Sequence, residues 1–97
     1  MTDFKKFKND ILSLPGIWKN ENDIFFTQYR DCYEALYKPN YPNGSTKDII
    51  IRTTDKTGAY LRGNYELIIY QNGKYNAIYF SSFEELKKYI WGSNNEF

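Results

Sequence analysis

The sequence predicts a two-layer α+β fold: an antiparallel β-meander of three to five strands, with an N-terminal and a C-terminal helix. Two observations support this prediction. Asn72-Gly73 separates two aromatic and β-branched runs, and this dipeptide favours a two-residue type I′ hairpin turn, because both central residues need positive φ. Ser82 and Glu85 then match a capping box, which begins a helix. We expect all 97 residues to form one domain.

The first helix is predicted over residues 3–14, where apolar residues recur at helical spacing at Phe4, Phe7, Ile11 and Leu14. Thr2 or Asp3 can cap its start, and Pro15-Gly16 is expected to end it. Residues 17–23 are polar after Trp18 and are expected to form a loop.

The segment from Asp23 to Lys38 allows two interpretations. As a helix, it aligns apolar residues on one face at Phe25, Tyr29, Cys32 and Leu36, with Asp23 as a cap. As two strands, Ile24–Tyr29 and Cys32–Tyr37 show the aromatic enrichment typical of sheets, although Arg30-Asp31 is a poor two-residue turn. We favour two strands with an irregular connection.

The remaining elements follow from local chemistry. The β-branched run from Asp48 to Thr54 predicts a strand, and Phe83, Leu86 and Ile90 mark the buried stripe of the last helix. Further expectations are a loop over 39–45, a turn over 55–58, a strand over 59–62 that Gly63-Asn64 bends or ends, and a frayed tail over 93–97.

The hairpin turn also predicts which side chains share a face. It places Tyr70 opposite Tyr75, Ile68 opposite Ala77 and Glu66 opposite Tyr79, and these six side chains share one face. The opposite face is more apolar, with Tyr65, Leu67, Ile69, Ile78 and Phe80, and becomes polar near the turn at Gln71, Lys74 and Asn76. We expect the terminal helices to cover this second, apolar face.

The tyrosine-bearing face is the candidate protein-binding surface. If helices cover one side of the sheet only, this face meets solvent, and an exposed aromatic surface with few charges resembles the centre of a protein interface. The predicted binding residues are Tyr70, Tyr75, Tyr79, Glu66 and Arg62. The alternative is that residues 17–45 fold back over this face and make the tyrosines ordinary half-buried sheet residues.

Composition argues against most catalytic chemistry. The chain has no His and a single Cys32, so the common zinc and haem ligand sets, a Cys-His nucleophile pair and an internal disulfide are all excluded. We therefore predict a non-enzymatic protein without metal or cofactor. The start of the chain lacks the continuous apolar run of a signal peptide, and no segment has membrane-spanning length, which favours a cytoplasmic location.

Single-stranded nucleic-acid binding is the alternative function. The segment from Lys38 to Arg62 has five basic and two acidic residues, with tyrosines in or beside it, and aromatic groups stack on bases while basic groups follow the backbone. The residues predicted for this function are Lys47, Arg52, Lys56, Arg62, Tyr60 and Tyr41. Against it, the net charge is only +1 and the pI is about 7.7.

A third possibility comes from a resemblance. The run Leu61-Arg-Gly-Asn-Tyr65, followed by ELIIY, resembles the central strands of bacterial endoribonuclease toxins over about ten residues. That resemblance implies RNA cleavage through Arg, Lys and Tyr without His. Our main hypothesis remains a protein-binding module, in the style of the small accessory or inhibitor proteins, anti-CRISPR proteins included, of bacteria, phages and mobile elements.

Overall fold

The computed structural model describes residues 3–30, 32–38, 47–54 and 65–92. It contains two α-helices and five strands: α1 (Asp3–Leu12), β1 (Ile24–Gln28), β2 (Cys32–Tyr37), β3 (Lys47–Thr54), β4 (Tyr65–Gln71), β5 (Lys74–Phe80) and α2 (Phe83–Gly92). The strands form one sheet in chain order, and every neighbouring pair is antiparallel. The predicted α+β meander with a helix at each end is confirmed.

Helix α1 packs through the predicted apolar stripe. Phe7, Ile11 and Leu14 are buried, and Phe4 packs partly buried against the same core. The helix ends at Leu12, earlier than Pro15-Gly16 suggested, because the chain tightens into a turn. There, the Leu14 N–H donates to the Ile11 carbonyl at 3.0 Å, which directs the Leu14 side chain inward.

Residues 16–23 form two short 3-10 helices, Gly16–Lys19 and Glu21–Asp23, instead of the predicted loop. The prediction was wrong because single 3-10 turns are too short to show a periodic apolar pattern. Trp18 lies on the first of them, is fully buried, and packs against Tyr37 with ring centroids 6.2 Å apart. This tryptophan fixes the connection against the core.

The segment that allowed two interpretations forms two strands, and the helical interpretation is wrong. β1 and β2 are antiparallel, with Gln28 opposite Tyr33. The Tyr29 N–H donates to the Cys32 carbonyl at 2.8 Å, which closes the connection between them. Tertiary packing decides this outcome, because strand alternation turns Ile24, Tyr33 and Ala35 together into the core.

The β4–β5 hairpin forms as predicted. Asn72 and Gly73 have φ values of 53° and 79°, as a type I′ turn requires. The register places Tyr70 opposite Tyr75 and Ile68 opposite Ala77. The predicted division of the hairpin into two faces is therefore confirmed.

Helix α2 begins at the predicted capping residues, with one change of partner. The Glu85 N–H donates to the Ser82 hydroxyl at 3.2 Å, as in a capping box. The Glu85 carboxylate instead accepts from the N–H and the hydroxyl of Ser81, at 3.0 and 2.8 Å. Hydrogen bonds from the hydroxyl and the backbone of Ser81 lower the pKa of Glu85, because they stabilise its charged form.

Both helices pack on one side of the sheet, which we name the inner face. Strand side chains in the buried cluster all belong to this face: Ile24, Tyr33, Ala35, Ile49, Ile51, Leu67 and Phe80. α1 contacts β2 through Phe7 and Tyr33, whose ring centroids are 5.7 Å apart, and α2 contacts β5 through Tyr89 and Phe80, at 5.5 Å. The opposite side, the outer face, contributes no residue to this cluster.

Three predicted segments cannot be compared with the described part of the structure. The predicted loop over 39–45, the turn and strand over 55–62 with Gly63-Asn64, and the tail over 93–97 lie outside the described residues. Within the described segments, neither helix has the length and apolar content needed to cross a bilayer.

Candidate functional site

The outer face presents three rows of side chains that cross the sheet. The strand registers define an apolar row of Phe25, Leu36, Ile50, Ile68 and Ala77. Beside it lies a charged row of Thr27, Glu34, Arg52, Glu66 and Tyr79, and on its other side lie Asp48, Tyr70 and Tyr75. The registers thus place an apolar strip between polar and aromatic groups.

The tyrosine cluster, which we define as Tyr70, Tyr75 and Tyr79, is exposed. The exposed fractions of these residues are 46%, 62% and 48%. Tyr70 and Tyr75 face each other across the hairpin with ring centroids 5.5 Å apart. The pair is a non-hydrogen-bonded one, in which side chains approach most closely and can stabilise each other.

The expected cover over this cluster does not come from residues 17–38. These residues form the two 3-10 helices and the strands β1 and β2, and their largest buried side chain, Trp18, packs against Tyr37 on the inner face. Residues 39–45, the rest of that expected cover, lie outside the described residues. At the far edge of the apolar row, Phe25 is also exposed, at 57%.

The charged row contains a cluster of ion pairs. Nε and Nη2 of Arg52 both donate to Oε2 of Glu34, at 3.1 and 2.8 Å, and Nη1 lies 3.8 Å from Oε1 of Glu66. The Tyr29 hydroxyl lies 3.5 Å from the second oxygen of Glu34. Glu34 and Glu66 are only 9% and 7% exposed, so Arg52 provides the counter-charge shared by two carboxylates that are largely removed from water.

Glu66, which was predicted to contact a protein partner, forms an ion pair with Arg52 instead. It was expected at the edge of the tyrosine surface, but it lies between Arg52 and Tyr79 in the sheet and presents little area to a partner. Its carboxylate holds the Arg52 guanidinium from the side opposite Glu34. Arg62, the last residue predicted for this surface, lies outside the described residues.

The residues predicted for nucleic-acid binding are not brought together. Lys47 pairs with Gln71 and belongs to the inner face, whereas Arg52 belongs to the outer face and is engaged by Glu34. Five positions apart on one strand, the two side chains must point to opposite sides. The remaining predicted residues, Lys56, Arg62, Tyr60 and Tyr41, lie outside the described residues.

Two depressions in the described part of the chain lie away from the outer face. A shallow depression of about 410 Å³ lies on α2 beside Glu84, Lys88 and Trp91, and one of about 300 Å³ lies at the hairpin tip beside Gln71 and Asn76. Across the described residues, no three His, Cys, Asp or Glu side chains are grouped to hold a metal ion. Cys32 is buried in the sheet.

Sequence reasoning found the tyrosine cluster but missed the contributions of Phe25 and Glu34. The hairpin turn fixes the β4–β5 register locally, whereas β2, β3 and β4 are joined by longer segments that leave their registers open. The alternation of opposite charges at Glu34, Arg52 and Glu66 becomes a signal only once those strands are aligned. Comparison of the sequence and fold with protein-family models, curated proteins and solved structures finds no match.

Proposed function

We propose that this chain is a non-catalytic module that binds another protein through the outer face of its sheet. One observation supports this most: the tyrosine cluster is 46–62% exposed on the face that neither helix covers. Tyrosine combines a large apolar ring with a polar hydroxyl and has few rotatable bonds, so it gives contact area at low entropic cost. Such residues are enriched at protein interfaces.

The surroundings of the cluster suit an interface as well. The apolar row leads from Ala77 across the sheet to Phe25; Phe25 is 57% exposed and offers apolar area at the β1 edge, whereas Ile68 within the row is 6% exposed. The Arg52 cluster beside it is held by carboxylates on both sides, so its geometry is already formed before a partner arrives. Preformed surfaces lose less entropy on binding.

Charge favours a protein partner over nucleic acid. Glu34, Glu66 and Asp48 lie on the outer face with Arg52, three carboxylates against one guanidinium among the described residues. A phosphate backbone needs a basic surface, and this excess of two negative charges opposes it. A protein surface with apolar and basic groups fits better.

Substitution of two tyrosines tests the proposal. Tyr75→Ala with Tyr79→Ala should abolish capture of a partner from a lysate of the source organism, while the far-ultraviolet circular dichroism spectrum stays unchanged. Trp91→Ala is the matched control, because Trp91 is 61% exposed, close to the 62% of Tyr75, but lies on α2. A protein retained by the wild type and the control and lost by the double variant supports the proposal.

Two results would contradict it. Loss of the folded spectrum in the double variant would show that the tyrosines are structural. Binding of fluorescent single-stranded DNA, single-stranded RNA or duplex DNA, followed by anisotropy and weakening steeply with salt, would transfer the function to nucleic acid. In that case Lys47→Ala and Arg52→Ala become the informative variants.

A further inference from the structure

Strand β5 forms one edge of the sheet and has backbone groups directed outward. Gln71 and Lys74 flank a two-residue turn and form a hydrogen-bonded pair, so the pattern alternates along the hairpin. The N–H and C=O groups of Tyr75 and Ala77 consequently point away from β4. Within the described part of the chain, no strand lies beyond β5.

Three protections that edge strands carry in their own sequence, namely short length, proline and a central charge, are missing from β5. Natural edge strands are shortened, bulged, or interrupted by proline or central charges, which prevents pairing with other chains. β5 has seven residues in unbroken register with β4, contains no proline, and has its one charged residue, Lys74, at the turn. The other edge strand, β1, has five residues.

We propose that β5 pairs antiparallel with β5 of a second copy of this chain, with Ala77 opposite Ala77 of the second copy. Ala77 is the central residue of Lys74–Phe80, so this register pairs the whole strand. Tyr75 of each copy then lies opposite Tyr79 of the other. Lys74 lies opposite Phe80, so no like charges meet across the contact.

The proposed symmetry also joins the two outer faces. The two-fold axis of such a pair runs perpendicular to the sheet, which places both outer faces on the same side. The apolar row continues from Ile68 and Ala77 into the same residues of the second copy, and the two tyrosine clusters meet at the axis. The pairing is mediated by backbone groups and does not depend on the proposed function.

Sedimentation equilibrium combined with charge substitutions tests the register. The wild type should have twice its chain mass of 11.6 kDa at high micromolar concentration. Tyr75→Lys with Tyr79→Lys places like charges at both symmetric positions and should raise the dimer dissociation constant at least about tenfold. Tyr75→Glu with Tyr79→Lys places opposite charges there and should return the constant to within about threefold of the wild type.

A backbone substitution tests the pairing of the strands directly. Ala77→Pro removes an outward N–H at an edge, where proline is tolerated, and should give a folded monomer. Gln28→Pro is the control on β1: Tyr29 and Cys32 form the adjacent hydrogen-bonded pair, so the Gln28 N–H also points outward, and this variant should stay dimeric. Circular dichroism verifies folding, and if Ala77→Pro unfolds, the two charge variants decide.

A monomeric wild type at several hundred micromolar would overturn the proposal, as would equal dissociation constants for the two charge variants. A folded Ala77→Pro variant that remains dimeric would overturn it too. These results concern the oligomeric state alone, whereas capture of a partner by the wild type and its loss in Tyr75→Ala with Tyr79→Ala test the proposed function, so the two failures are distinguishable.

Discussion

The two faces of this sheet are made from similar residues but place neighbouring residues in different environments. Ile51 on the inner face is 0% exposed, whereas its neighbour Ile50 on the outer face is only partly buried. Likewise Tyr33 is buried against α1, while Tyr75 is 62% exposed. Because side chains alternate along a strand, the side on which the two helices pack decides which of these neighbours enters the core cluster. Apolar composition therefore does not identify the core of this protein.

The inner face itself is not uniformly apolar. A ten-residue helix is about 15 Å long and a seven-residue strand about 23 Å, so the helices cannot cover the full length of the hairpin. The uncovered end has Gln71, Lys74 and Asn76, all exposed. The inner face thus becomes polar at the end of the hairpin that the helices do not cover.

The largest effect is expected from truncating the inner of two neighbouring isoleucines. Ile51→Ala should lower the free energy of unfolding by about 2–5 kcal/mol, because it leaves a cavity in a fully buried site. Ile50→Ala should lower it by about 1 kcal/mol, since part of that side chain already meets water. Urea denaturation of both variants measures the difference, and equal losses would contradict the distinction between the faces.

The ion pairs of Arg52 with Glu34 and Glu66 are the part of the outer face expected to stabilise the fold. Removing the charge of Arg52 tests this expectation. Arg52→Met should lower the free energy of unfolding by about 1–3 kcal/mol, because Glu34 and Glu66 remain largely buried without a counter-charge. The estimate is below that for a fully buried pair, since the Arg52 side chain is 29% exposed. The triple variant Glu34→Gln, Arg52→Met and Glu66→Gln should regain most of the loss. An Arg52→Met variant as stable as the wild type would show that the cluster is dispensable.

The tyrosine cluster is expected to contribute little to stability. Tyr75→Ala with Tyr79→Ala removes cross-strand pairs and should lower the free energy of unfolding by at most about 1–2 kcal/mol. Thermal and urea unfolding measure this change. A loss as large as that of Ile51→Ala would place these tyrosines among the core residues and remove the contrast between the faces.

The smallest effect concerns a tyrosine of the inner face at alkaline pH. Burial, followed by the charge of Asp10, raises the pKa of Tyr65. The neutral phenol is therefore favoured in the folded state, so this contribution to stability is complete below the unfolded pKa of about 10 and is lost as pH rises through the folded pKa. The free energy of unfolding, measured from pH 9 to 11, should decline less steeply with pH for Tyr65→Phe than for the wild type. Equal slopes would contradict the prediction.

Much of the fold could be predicted because its signals are local. Asn72-Gly73 fixes one turn and its register, Ser82 begins a helix, and the stripe of Phe7 and Ile11 identifies the face of α1, each through interactions within a few residues. The 3-10 helices around Trp18 escaped prediction because their one-turn length leaves no period.

By itself, the sequence determined the hairpin, its two faces, the helix at each end and the tyrosines that share a surface. Only the tertiary structure decided that residues 24–37 are two strands, that Glu34, Arg52 and Glu66 meet, and that Lys47 and Arg52 are separated. The physical reason is the range of the interactions. Turns and caps act between neighbours in the chain, whereas strand register across long connections and the side on which helices pack are set by burial of the whole core.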